Sequence, residues 1–195
     1  GKVIVYRAPS PPLENFAMRY LLARTLFPAV LAFFPCAASA QSPQIGDPPE
    51  AKNMTLVGSH DLQARSAYQP LVREQNGRWI AYVGHHGGTE KVAKPVNTLT
   101  GVAEFNGTSI LDVTDPRAPR LLAHVPGEAG LGESGGGQMV RVCSGRELPK
   151  AEREKFYMLR AFGNTAHEIW DVSDPAKPSL VTRLAGLKGT HKNWW

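Results

Sequence analysis

The sequence predicts an all-β chain assembled from repeated four-stranded units, on three observations. A long segment recurs 59 residues later without a gap, both copies end a strand with Asp-Pro, and apolar runs of strand length flank each copy. Thr108–Leu122 matches His167–Val181, so that Ile110, Asp112, Val113, Asp115, Pro116 and Pro119 return as Ile169, Asp171, Val172, Asp174, Pro175 and Pro178. Repeats on this scale are the signature of solenoids and propellers and take precedence over single motifs.

From the N-terminus, residues 1–17 lie upstream of the expected start at Met18 and read as a leader extension without a role in the fold. Residues 18–40 read as a secretory signal peptide. Arg19 and Arg24 precede an apolar stretch from Leu26 to about Pro35, and Ala38-Ser39-Ala40 supplies the small residues of a cleavage site before Gln41. The apolar stretch is shorter than the ~20 residues a membrane-spanning helix needs, and prolines interrupt it. Cys36 follows Phe33, Phe34 and Pro35, which does not resemble a lipidation site. Residues 41–53 read as a linker.

Removing residues 1–40 takes away Lys2, Arg7, Arg19 and Arg24 against Glu14 alone. That leaves 18 of 22 basic and 16 of 17 acidic residues, and the net charge falls from +5 to +2. No basic stripe interleaved with aromatics is present, so a nucleic-acid partner is excluded from the reading. Cys143 is the only cysteine after the cleavage point. The alternation Met139-Val140-Arg141-Val142-Cys143 places it in a strand and buries it.

Each repeat copy has a physical reading. Ile110 with Asp112, and Ile169 with Asp171, stand at period two, while Val113 and Val172 face the other way, as in a strand packed on both sides. The Asp-Pro pair then ends the strand, because proline lacks the ladder donor and aspartate closes a turn on its own backbone. The first unit reads as strands at Gln69–Val72, Trp79–Val83, Thr108–Val113 and Leu121–Val125. The second reads as Gln138–Val142, Phe156–Arg160, His167–Val172 and Leu180–Leu184. Four short strands joined by turns make up a propeller blade. The expected architecture is a partial β-propeller over residues 54–195, about two four-stranded blades plus flanking strands. Met54–Ser59 reads as a lone strand suited to closing a ring, and His191–Trp195 as the opening of a third unit with Trp194 and Trp195 in its core. Because propellers close with four to eight blades, the chain is expected to be the N-terminal part of a longer repeat protein.

The pattern Ile-x-Asp-Val-[Ser/Thr]-Asp-Pro-x-x-Pro-x-Leu resembles the LVIVD-repeat family of exported, propeller-like proteins, over roughly residues 54–195. The resemblance implies an exported repeat protein and is nearly silent about activity. Two insertions depart from the usual short repeat, His85 to Gly107 and Ser144 to Lys155, and the second is expected to form one or two helical turns.

Strand alternation sorts the connections onto two faces. His85, His86, His167, Gln69, Gln138 and His191 are thereby expected at one rim near the central channel, and they are the candidate binding residues. A metal at this rim would draw on His86 and His191, but no HxH or HExxH spacing is present. His85 and His86 are adjacent on one strand and point to opposite sides. Gly135-Gly136-Gly137 lacks the Lys-Ser/Thr of a phosphate loop and is expected to be a flexible inter-blade connection. Ser109 and Ser134 lack a Gly-x-Ser-x-Gly context. Asp112 and Asp171 recur in both copies, so they are expected to hold turns and to take no part in catalysis.

The expectation is an exported binding or scaffold module of the bacterial envelope, periplasmic or extracellular. Its ligand would be a protein, peptide or glycan, with no evident cofactor and no stable membrane span in the mature chain. The alternative is a metal-dependent propeller enzyme with a histidine-bearing site at the channel rim. N-terminal sequencing of the exported protein should give Gln41 as the first residue, and a mature chain still beginning at Met18 would contradict the signal assignment.

Overall fold

The computed structural model describes residues 3–7 and 52–195. The signal segment, its cleavage point and most of the linker lie outside the described residues. Thirteen strands follow one another among the described residues: β1 (Val3–Arg7), β2 (Thr55–His60), β3 (Tyr68–Gln75), β4 (Arg78–His86), β5 (Val96–Asn97), β6 (Val102–Ala103), β7 (Gly107–Asp112), β8 (Arg120–Pro126), β9 (Gly136–Gly137), β10 (Val140–Ser144), β11 (Phe156–Phe162), β12 (Ala166–Asp171) and β13 (Ser179–Leu184). The fold is all-β, and none of its sheets closes on itself.

Two antiparallel four-stranded meanders dominate, β3-β4-β7-β8 and β10-β11-β12-β13. They coincide with the two units expected from the sequence. A two-residue turn at Asn76 and Gly77, both at positive φ (52° and 80°), joins β3 to β4, the geometry a tight hairpin between right-twisted strands demands.

The two repeat copies make the same bonds. Asp112 Oδ1 accepts the Thr114 N–H at 3.0 Å, and Asp171 Oδ1 accepts the Ser173 N–H at 2.9 Å. Asp115 and Asp174 likewise accept the N–H groups of Arg117 and Ala176. Thr114 Oγ1 and Ser173 Oγ accept from the N–H of Trp79 and of Phe156, tying each turn to the neighbouring strand. A bulge falls between Ile110 and Leu111 in one copy and between Ile169 and Trp170 in the other. These aspartates therefore hold turns.

The main core lies between the meanders. Ile80, Tyr82, Ile110, Ala123 and Val125 of the first meet Val140, Val142 and Met158 of the second, with Val172 beside them and Trp170 and Phe156 packed at the margin. The opposite face of the first meander is also covered: Ala81, Val83, Leu111 and Val113 pack with Leu62. Burial on both faces is why Ile80–Val83 is a continuous apolar run instead of an alternating one.

Within this core sits a charge. Arg160 on β11 is fully buried. Its Nε donates to Glu168 Oε2 at 2.8 Å, and Nη2 lies 2.7 Å from the same oxygen as an ion pair. Nη1 donates to the Val125 carbonyl at 2.8 Å and to Thr108 Oγ1 at 3.3 Å, and Nη2 to the Pro126 carbonyl. Glu168, directly opposite Arg160 in the β11–β12 register, also accepts from the Trp170 indole and from Arg183. Burial pushes its carboxyl up, but these donors outweigh burial and hold it below the usual carboxylate range.

Several expectations need correction. Val3–Arg7, read as leader, forms β1 and pairs with β2. The glycine run is no flexible connector: Gly136 and Gly137 form β9, hydrogen-bonded to His86 and His85. Gly136 has φ +84°, and a Cβ there would fall on the His85 carbonyl oxygen, so only glycine fits. The Ser144–Lys155 insertion, expected to form one or two helical turns, forms one, the 3-10 turn Gly145–Glu147, closed by a Ser144/Glu147 capping box. His191–Trp195 forms no strand. The segment is pinned by Thr190 N–H to the Asn164 carbonyl and by Asn193 Nδ2 to the Met139 carbonyl, and Trp194 is 77% exposed.

Replacing Arg160 by methionine leaves Glu168 buried without its principal partner and should cost about 3–5 kcal/mol. The double replacement Arg160→Met/Glu168→Leu should recover most of that loss. Urea unfolding followed by tryptophan fluorescence reads both, and a loss under about 1 kcal/mol for Arg160→Met would show that the guanidinium does not join the sheets.

Candidate functional site

Alternation along β4 decides what each of its two histidines does. Tyr82, Gly84 and His86 face the second meander, and Val83 and His85 face the other way.

His85 enters a sealed polar cluster. It is fully buried; Nδ1–H donates to the Ser66 carbonyl, and Nε2, 2.7 Å from Ser109 Oγ, accepts from that hydroxyl. His124, opposite Ser109 on β8, has its ring centroid 6.0 Å from that of His85. Its Nδ1–H donates to Glu104 Oε2 at 2.8 Å, and Nε2 has no partner. Arg65 closes the cluster, donating to Asn106 Oδ1 and to the Glu104 and Pro95 carbonyls. Burial pushes His85 down to about 3, and burial with the charges of Arg65 and Arg160 does the same to His124. A hydroxyl 2.7 Å from an imidazole has the geometry of a nucleophile and its base, but Ser109 and His85 are both wholly buried, so no substrate reaches them.

His86 belongs to a different place. Its ring centroid lies 4.4 Å from that of Tyr68, and the Tyr68 ring lies 6.5 Å from that of His191. Tyr68 is opposite Gly84 in the β3–β4 register. A Cβ on Gly84 would fall on the Gln138 carbonyl oxygen, so Gln138 crosses the same end of the sheet in close contact. Asn193, two residues past His191, bonds the Met139 carbonyl next to Gln138. Tyr68, His86 and His191 are thus gathered, and the backbone of Gln138 and the side chain of Asn193 lie at the same end of the sheet.

Four polar atoms of this group are buried without a partner: His86 Nε2, His191 Nε2, Gln138 Oε1 and Asn193 Oδ1. The amide orientations are fixed, because Gln138 Nε2 donates to the Glu133 carbonyl and Asn193 Nδ2 to the Met139 carbonyl. The free atom of each amide is therefore its oxygen, an acceptor.

Of the rim residues expected from the sequence, the structure brings His86 and His191 to Tyr68, and the Gln138 backbone crosses the same strand end. His85 is turned into the sealed cluster. His167, opposite Ala161 on β12, stands with Ile169 on the outer face of the second meander. Gln69 is exposed at φ 44°, beside the irregularity in the β3–β4 pairing. Tyr68 and Asn193 were not singled out from the sequence, although each neighbours a residue that was. Among the described residues, no three His, Cys, Asp or Glu side chains could hold a metal ion together. No helix among them is long and apolar enough to cross a membrane. Cys143 is a buried free thiol, pushed up to about 11 by burial and by Glu147.

Comparison with family models, with curated proteins and with solved structures found no match to this chain.

The sealed histidines set an acid limit. In the unfolded chain the His85 ring takes a proton near 6.5, and in the fold only near 3. Between those values the unfolded state binds more protons. Stability is therefore full above about 6.5 and falls as pH drops toward 3, by about 1 kcal/mol per pH unit for each such ring. The urea midpoint should be lower at about pH 5 than at about pH 7.5, with a shallower dependence in His85→Gln; a midpoint that does not move would contradict the assignment.

Proposed function

We propose that this chain is part of an exported, repeat-built binding module with a propeller-like arrangement of blades, of the LVIVD-repeat kind, acting in the bacterial envelope or outside the cell. The observation that carries the binding role is the gathering of Tyr68, His86 and His191 at one end of the sheets, beside buried polar atoms that nothing in the fold satisfies. Buried polar groups in proteins are normally paired, and four left unpaired at one end of the sheets mark it as the place to look for a ligand.

The blade reading is supported by the way the meanders stack. Ile110 is wholly buried against the second meander. Its counterpart Ile169 is half-buried and lines a cavity of about 400 Å³ with Leu148, Pro149, Ala151, Tyr157 and Trp195. Applying the repeat once more would set a further sheet on the Ile169 face, as the second meander sits on Ile110. The signal peptide read from residues 18–40 supports export.

Metal analysis and activity screening of the purified full chain test this reading against the metal-enzyme alternative. The expected result is no stoichiometric metal and no turnover. A bound metal that disappears in His86→Ala and His191→Ala, together with metal-dependent turnover, would replace the binding module by an enzyme.

A further inference from the structure

We infer that the outer face of the second meander, centred on Ile169, is the contact surface for a second copy of this chain, the two molecules meeting face to face across a two-fold axis. The inference rests on the blade reading above and names the partner that supplies the covering sheet.

The repeat shows what this face lacks. Ile110 stands opposite Ala123 and Thr108 opposite Val125; 59 residues on, Ile169 stands opposite Thr182 and His167 opposite Leu184. In the first copy Ile110, Ala123 and Val125 are 0, 8 and 3% exposed, because the second meander lies over them. In the second copy Ile169 is half-buried, Thr182 is exposed and Leu184 is 56% exposed. The tail after β13 covers only the β10 side of this face. There Trp194 stacks on Arg141, 4.4 Å from the guanidinium to the ring, and Asn193 bonds the Met139 carbonyl. Trp195 stops at the cavity of about 400 Å³ that it borders with Tyr157 and Ile169, and the β12–β13 side stays open.

The other sheet faces show which surface can cover it. The two meanders have four faces, and two of them meet in the main core. The outer face of the first meander is closed by Leu62, fully buried on Ala81, Val83, Leu111 and Val113. A head-to-tail contact, in which that face of one molecule would cover Ile169 of the next, is therefore blocked. The face left to meet Ile169 is the Ile169 face of another molecule, and a surface that meets its own copy closes as a two-fold dimer.

The chemistry of the face permits self-contact. Tyr157, Ile169, Thr182 and Leu184 bring no charge, Arg141 lies under Trp194, and Asp171 is 3.3 Å from Lys155. No like charges are forced together. Four strands about 4.8 Å apart and about six residues long, at about 3.3 Å each, make a face roughly 20 Å square. That is the low end of the surfaces that hold a dimer, so dissociation is expected in the micromolar range.

Sedimentation equilibrium of the full chain from about 1 to 200 µM tests this. The mean mass should rise with concentration toward twice that of the monomer. Leu184→Glu and Thr182→Lys, both at exposed positions, should each weaken the dimer by about tenfold or more at an unchanged thermal midpoint. Val102→Glu, on the exposed β5–β6 hairpin, should leave it as it is. A wild type that stays monomeric to about 200 µM overturns the inference, and so does a dimer that survives both Leu184→Glu and Thr182→Lys. A monomer that takes up an apolar dye displaced by Ile169→Lys would give the cavity to a small ligand and overturn it as well. Each of these failures leaves the binding role standing, because metal analysis and turnover test that role separately.

Discussion

A guanidinium cut off from water has to be met by acceptors, and Arg160 makes four hydrogen bonds and an ion pair. Nε donates to Glu168 Oε2, Nη1 to Val125 O and Thr108 Oγ1, and Nη2 to Pro126 O, with Nη2 also in ion-pair contact with Glu168. Meeting that demand sets much of the rest. Glu168 has to stand opposite Arg160, which fixes the register of β11 on β12. The end of β8 has to turn two carbonyls toward the second meander, which fixes how the sheets meet. Trp170 lies 5.2 Å beneath the guanidinium and gives its indole N–H to the same carboxylate. Buried ion pairs are poor sources of net stability; this one works as a locator, since few other arrangements would leave the charge satisfied.

The rim inherits its position from this lock. A Cβ at Gly137 would meet Arg160 Nη1 at 3.1 Å, so β9 lies against the guanidinium. β9 in turn pairs with His85 and His86. One residue of strand alternation then divides the labour. His85 is spent on holding Ser66 and Ser109 inside the sheet, and His86 is left free beside Tyr68. The same separation explains why His85 contributes to acid stability while His86 packs beside Tyr68.

Much of the strand order was legible because the signals were local. Ile110, Asp112, Asp115 and Pro116 announce a strand and its end through side chains that bond their own neighbours, and the second copy repeats the message. Asn76-Gly77 is an equally local hairpin signal, and it marks the turn that lengthens β3 to Gln75. What could not be read depends on register between distant segments. Arg160 in a strand looks like a solvated residue until Glu168 and the β8 carbonyls are placed around it. Gly136 looks like slack until His85 is seen pressing on it. The short β5–β6 hairpin, pairing Val96 with Ala103, carries too few residues to show a period. His191–Trp195 has the composition of a strand but bonds to Met139 through one side chain, and the proximity of Tyr68 to His191 is visible only in three dimensions.

The matched turns have a consequence for how such a chain tolerates change. Asp112 with Asp115, and Asp171 with Asp174, clasp the last hairpin of each meander at a set length, from β7 to β8 and from β12 to β13. The two long excursions fall elsewhere, between β4 and β7 in one meander and between β10 and β11 in the other. Length variation is thus confined to connections the clasp does not touch. The β4–β7 excursion is itself bonded into the Arg65 cluster, so the β10–β11 loop is the natural site for grafting foreign sequence without loosening the hairpin that carries the motif.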